Sequence, residues 1–131
     1  VFRLSQKETC SRHVRKGKRV SHHQISEHEI QSTIIEWLKI KRFFFWRNNV
    51  GGFVGVYKGK RRFVHFGMKG SPDIYVLRKG QLIGIEVKSE SKNQSRDQIE
   101  FQTQFEHAGG QYFVAYKLSD VEAVLGNGSK I

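Results

Sequence analysis

Cysteine, proline and methionine each occur only once in this chain of 131 residues. A single thiol, Cys10, excludes a disulfide framework and a cysteine-built zinc site. The six histidines do not replace it. His22 and His23 are the one adjacent pair, and no further ligand follows at helical or strand spacing. No apolar run approaches the roughly 20 residues of a membrane-spanning helix, and no secretory signal is visible. A cytoplasmic protein without a membrane partner is the expectation. Acidic residues are scarce as well: 12 Asp+Glu face 23 Lys+Arg, a formal charge of +11. An excess of that size implies a polyanionic partner and salt-sensitive association, and by charge alone nucleic acid and an acidic membrane surface both fit. The length suffices for one domain with a modest core.

Against that background one stretch carries chemistry. Gly70-Ser71-Pro72-Asp73 opens an apolar run, Ile74-Tyr75-Val76-Leu77. A short turn, Arg78-Lys79-Gly80-Gln81, leads to a second run, Leu82 to Lys88, which ends Glu86-Val87-Lys88. The spacing predicts an antiparallel hairpin. Side chains alternate along a strand, so Ile83, Ile85 and Val87 should meet the core while Glu86 and Lys88 point to the opposite face, near Asp73. Two carboxylates held close repel unless a cation or a proton lies between them. Hard oxygen ligands of this kind suit Mg²⁺ or Mn²⁺, and a neighbouring ammonium could stabilise charge on a reacting phosphate. The plainer alternative is a surface hairpin with an exposed Glu–Lys pair, worth under about 1 kcal/mol.

Upstream, Ser26 and Glu29 form a capping box for a helix reaching about Lys41. Ile30, Ile34, Ile35, Trp37 and Leu38 make its apolar stripe. At about 100° per residue Glu27 falls within roughly 20° of the stripe's centre, so it points at whatever the helix covers. Glu29 falls on the other side and is explained by capping. Next come a strand at 43–47 that includes Arg47, a turn at 48–52, and two short strands near 53–57 and 62–66. Lys58, Lys60, Arg61 and Arg62 cluster at the tip between those two. This tip is the favoured phosphate contact, with Lys69 and Arg47 as further candidates. The interleaved aromatics could stack on bases, but most are expected to fill a small core. A polar loop at 89–94, expected to be mobile, precedes a second helix from Arg96 to about His107. Ser95 caps it, with Gln98 as the box partner and on the inward face. A strand at 111–116 and a short helix opened by Ser119 complete the order. The expected organisation is a basic arm over 1–24, a domain over 25–126 and a tail over 127–131.

The blocks Glu27-His28-Glu29-Ile30-Gln31, Arg47 to Gly51, Gly70 to Asp73, Ile85 to Lys88, Gln98 and Ala108-Gly109-Gly110, in that order, resemble the VRR-NUC branch of the PD-(D/E)xK nuclease superfamily. The resemblance covers roughly 26–125. It implies an α/β, restriction-endonuclease-like fold: a mixed sheet flanked by helices with an αβββαβ core. It further implies a metal-dependent DNA endonuclease. Asp73, Glu86 and the Val87 carbonyl would bind Mg²⁺ or Mn²⁺, Lys88 would orient the attacking water, and Glu27 would hold a water or a second ion. Gln98, with Gln31 as a further candidate, would position phosphate or Lys88. Small stand-alone members resemble Holliday-junction resolvases, which implies a homodimer, branched DNA such as four-way junctions or flaps, a role in DNA repair, and a bacterial or phage source. Two alternatives stay open: a non-catalytic nucleic-acid binder, and a sequence-specific restriction-type nuclease on the same fold.

Overall fold

The computed structural model describes residues 23–49 and 51–126. All but the last two residues of the basic arm, and the tail at 127–131, lie outside them. Helix α1 spans Glu27–Ile40. Ser26 Oγ accepts from the Glu29 N–H at 3.2 Å, and the Glu29 carboxylate accepts from the Ser26 N–H at 2.8 Å. These bonds satisfy amides that the first helical turn leaves without partners. Ile30, Ile34 and Leu38, one turn apart, are buried. Strands β1 (Phe44–Arg47), β4 (Ile74–Arg78), β5 (Gln81–Val87) and β6 (Gln111–Ala115) form one sheet in the order β1-β4-β5-β6. All neighbours are antiparallel except β5 and β6. That parallel pair is joined through α2 (Arg96–His107), the crossover that parallel strands require. The result is the mixed sheet flanked by helices that the sequence implied.

Helices α1 and α3 (Leu118–Leu125) cover one face of the sheet. There Ile34, Leu38, Ile74, Val76, Ile83, Ile85 and Val121 are fully buried. The other face is also covered, because α2 packs Phe101 and Phe105 near Tyr112 and Tyr75. Glu86 therefore does not look into solvent. It lies on the face away from the aliphatic core, yet is only 3% exposed, because a central strand beside a parallel neighbour is walled on both sides. The exposed Glu–Lys pair is thereby excluded: Lys88 and Glu86 side chains are 14% and 5% exposed.

Gly70 makes the approach to Asp73 possible. Its φ is +80°, and a Cβ there would collide with the Asp97 carbonyl oxygen at the start of α2. Gly70→Ala is expected to cost at least about 2 kcal/mol in urea unfolding. Gly80→Ala, at φ +77° but with open space around it, should cost about half as much.

Two expectations need correction. Ser119 does not open α3: Lys117 is the N-cap residue, and Asp120 instead accepts from the Tyr116 N–H at 2.9 Å. The larger correction concerns β2 (Gly51–Tyr57) and β3 (Lys60–Phe66), which form a separate antiparallel ribbon. None of their described apolar side chains belongs to the core. Phe53, Val54, Val56, Tyr57, Phe63 and Val64 are all exposed. Alternation and aromatic content correctly indicated strands, but neither feature tells a strand inside a sheet from one that leaves it.

Candidate active site

The carboxylates meet where β4 begins and β5 ends. Extending the β4–β5 register one step beyond Ile74↔Ile85 sets Asp73 opposite Glu86. Directly opposed residues hold their Cβ atoms about 4.5–5.5 Å apart. Asp73 Oδ2 accepts from the Val87 N–H at 2.8 Å. Behind Asp73, the Asn48 N–H donates to the Asp73 carbonyl at 2.8 Å. The Asn48 side-chain amide donates to Ser71 Oγ at 2.8 Å and to the Pro72 carbonyl at 2.9 Å. The strand entry is thus pinned from β1.

Glu86 Oε1 accepts from Gln98 Nε2 at 2.7 Å, and Lys88 Nζ stands 3.8 Å from the same oxygen. Gln98 also accepts from the Ser95 N–H at 2.8 Å through its Oε1. The capping and site readings of this glutamine, rivals in the sequence, are satisfied by opposite ends of one amide. Glu86 Oε2 is buried with no hydrogen-bond partner. The Asp73 carboxyl is near enough to share a proton with Glu86, but when both are ionised neither has a hydrogen to give.

Burial, and then the charge of Asp73, push Glu86 up to about 8, with Lys88 only partly offsetting them. Burial also raises Asp73, against the Val87 N–H and Lys88. Glu27 behaves differently. Burial opposes its ionisation, but the Ser89 N–H at 3.2 Å and Lys92 Nζ at 3.3 Å outweigh that and hold it below the usual carboxylate range. Its negative charge raises both Asp73 and Glu86. Gln31, one turn on, is half-buried and makes no hydrogen bond to the carboxylates or to Lys88 among the described residues.

Two raised carboxyls with one orphaned oxygen form a site short of positive charge. A hard divalent cation fits that deficit. Among the described residues no three Asp, Glu, His or Cys side chains converge as a complete protein cage. Asp73 and Glu86, with the Val87 carbonyl at the same strand end, would therefore leave positions for water and a phosphate, the habit of Mg²⁺ and Mn²⁺.

Of the remaining candidates, Arg47 ends β1, and its charge reaches Asp73. Lys69 pairs with Asp97 at 3.2 Å across the Gly70 approach. Lys58, Lys60, Arg61 and Arg62 are exposed on the ribbon, and none pairs with the carboxylates among the described residues. Residues not anticipated are Ser89 and Lys92, which tie the start of the polar loop to Glu27. Tyr112 is another: its buried hydroxyl lacks a partner, with Gln94 nearby but outside hydrogen-bonding geometry, and burial, with the Glu86 and Asp73 charges, raises it. An aromatic in a β-strand gives no signal of this kind in sequence.

No helix among the described residues is long and apolar enough to cross a membrane. No family model matches the chain, and no curated protein matches it. A solved structure described as a VRR_NUC domain superposes with a TM-score of 0.54 at 20% identity, covering 75% of this chain and 91% of that one. With its αβββαβ core and paired carboxylates at the strand ends, the chain has the fold of a VRR_NUC domain.

Proposed function

We propose that this domain is a Mg²⁺- or Mn²⁺-dependent endodeoxyribonuclease. The observation that carries the reading is the buried, partnerless Glu86 Oε2 opposite Asp73 with Lys88 beside the pair. A bound divalent ion would polarise the scissile phosphate and acidify the attacking water. The protein's own groups divide the remaining work. Asp73 and Glu86 supply the anionic oxygens, and the Val87 N–H and Gln98 amide lock their rotamers. The Lys88 ammonium donates to the water or to the phosphate oxygens as charge develops. Glu27, ionised at the rim, accepts from water. Arg47 and Lys69 at the rim, with the cations of the ribbon, hold the flanking phosphates. No base-reading element stands out, so DNA structure is the favoured determinant. By likeness of fold, branched DNA cut by a twofold pair of sites in a homodimer is the substrate and assembly we favour.

Labelled four-way junction, flap and duplex, each incubated with Mg²⁺, Mn²⁺ or EDTA, test this. Nicking with either metal and none in EDTA is expected; cleavage that persists in EDTA, or no nicking at all, overturns it. The two ends of Gln98 can be separated in the same assay. Ser95→Ala should cost about 1 kcal/mol of stability and leave the rate intact. Gln98→Ala should cost the same stability and also at least about tenfold in rate, because Glu86 loses the donor that orients it.

A further inference from the structure

The β2–β3 ribbon does nothing for the fold that the core requires. Among the described residues, neither strand makes more than marginal contact with any element other than its partner in the ribbon. A two-stranded ribbon is at best marginally stable in water without a partner surface. This one nevertheless presents Phe53 57% exposed and Phe63 56% exposed. The register assigns them to opposite faces. Phe53 pairs with Val64, and Gly55 with Arg62, so that Arg62 lies on the Phe53 face. Val54 pairs with Phe63, and Val56 with Arg61, so that Arg61 lies on the Phe63 face. Each face thus offers one exposed phenylalanine and one exposed arginine.

Charge identifies the occupant. No Asp or Glu occurs between Glu36 and Asp73, whereas nine Lys and Arg do. Two copies of so cationic a ribbon would repel, and an acidic polymer would be attracted. The turn adds to this. Lys58 sits at φ +50° before Gly59 at φ +73°, a two-residue turn whose first position ordinarily takes Asn or Asp. A lysine there accepts backbone strain of about 1 kcal/mol and puts a cation at the extremity. The ribbon is rooted at the site, since Asn48 before it binds Ser71 and Pro72 after it, next to Asp73. Seven residues per strand reach roughly 24 Å, about seven nucleotide steps.

A surface that lies on one duplex needs one sticky face. A ribbon sticky on both faces suits the gap between two nucleic-acid arms. We infer that the β2–β3 ribbon is a wedge that enters the branch point of a branched DNA, stacking Phe53 and Phe63 on the bases that border the two arms. This rests on the nuclease reading for its location beside Asp73, and it supplies a physical basis for selecting branched over continuous duplex.

The test uses the full chain in EDTA, by fluorescence anisotropy on a labelled fork and on a duplex of equal length. 2-Aminopurine at the branch point reports unstacking, and Mn²⁺-dependent nicking of plain duplex is read separately. The wild type is expected to favour the fork about a hundredfold and to brighten the 2-aminopurine. Phe53→Ala with Phe63→Ala should remove both effects, at about tenfold in fork affinity per ring, while duplex binding and duplex nicking stay within about twofold. Phe53→Tyr with Phe63→Tyr should keep them. The wedge is refuted if the alanine pair binds the fork like wild type, or if wild type shows no fork preference. A wild-type dimer that the alanine pair dissolves, with fork preference unchanged, would assign the ribbon to a second copy instead. Fork preference lost in the alanine pair, in a protein that nicks nothing, would sustain the wedge and overturn the nuclease reading alone.

Discussion

Replacing Lys88 with methionine is expected to slow metal-dependent nicking by at least about a hundredfold while DNA binding changes by less than about twofold. The asymmetry follows from where the ammonium sits. Its side chain is 14% exposed and its Nζ is 3.8 Å from Glu86 Oε1, so it is enclosed with the carboxylates and contributes little to long-range attraction. One such donor, aimed at charge that appears only as the phosphate reacts, is worth about 10²–10³ in rate. Methionine retains the apolar stem and removes only the charge. On the proposed reading, affinity is expected to rest instead on Lys58, Lys60, Arg61 and Arg62, which are exposed. Single-turnover nicking and anisotropy in Ca²⁺ would measure the two quantities. A variant that keeps more than a tenth of the wild-type rate would remove Lys88 from the chemistry.

Glu86→Gln should abolish nicking and yet make the metal-free protein more stable, increasingly so as pH rises. The Glu86 carboxyl is raised from 4.5 to about 8 in the folded protein. The fold therefore binds this proton more tightly than the unfolded chain does. The stability that the protonated group allows is full below about pH 4.5 and is lost as pH climbs through about 8. Glutamine resembles the protonated form and carries no charge to bury, so it avoids that loss. The gain should be near zero at pH 4 and reach a few kcal/mol, at most about 5, by pH 8.5. Relaxation and water penetration reduce the upper figure. Urea melts at pH 4, 6.5 and 8.5 would trace the difference. Millimolar Mn²⁺ should raise the melting temperature of wild type at pH 8 and leave Glu86→Gln unmoved, because a ligand stabilises only the state that holds it. A glutamine variant less stable than wild type at pH 8.5 would mean that the ionised carboxylate is already satisfied without metal. A site that trades stability for activity is common where a buried charge awaits its partner.

The local elements were legible because their causes are local. The Ser26–Glu29 and Ser95–Gln98 boxes are each set by four consecutive residues, and the structure forms both. Alternation over Leu82 to Val87 fixed which side chains of β5 face the aliphatic core, and turning by about 100° per residue separated Glu27 from the cap residue Glu29. The succession of helix, strands, helix, strand and helix followed from periods of two and 3.6 residues and from the turn residues between them, whereas the αβββαβ core was what the family resemblance implied.

Enclosure was not legible, because it depends on residues distant in the chain. Glu86 is buried by α2, which begins ten residues later, and it is coupled to Asp73, thirteen residues earlier. Glu27 is held by Ser89, 62 positions away. The same limit applies in reverse to the ribbon. Phe53 and Phe63 have the composition of core strands, and only the pairing of β1 directly with β4 leaves β2 and β3 without a sheet to join. Sequence dictates the period and the caps of each segment through neighbours one turn or one pleat away. Which face is shut from water, and so which carboxyl holds its proton more tightly and which phenylalanine stays bare, is settled when segments far apart in the chain pack together.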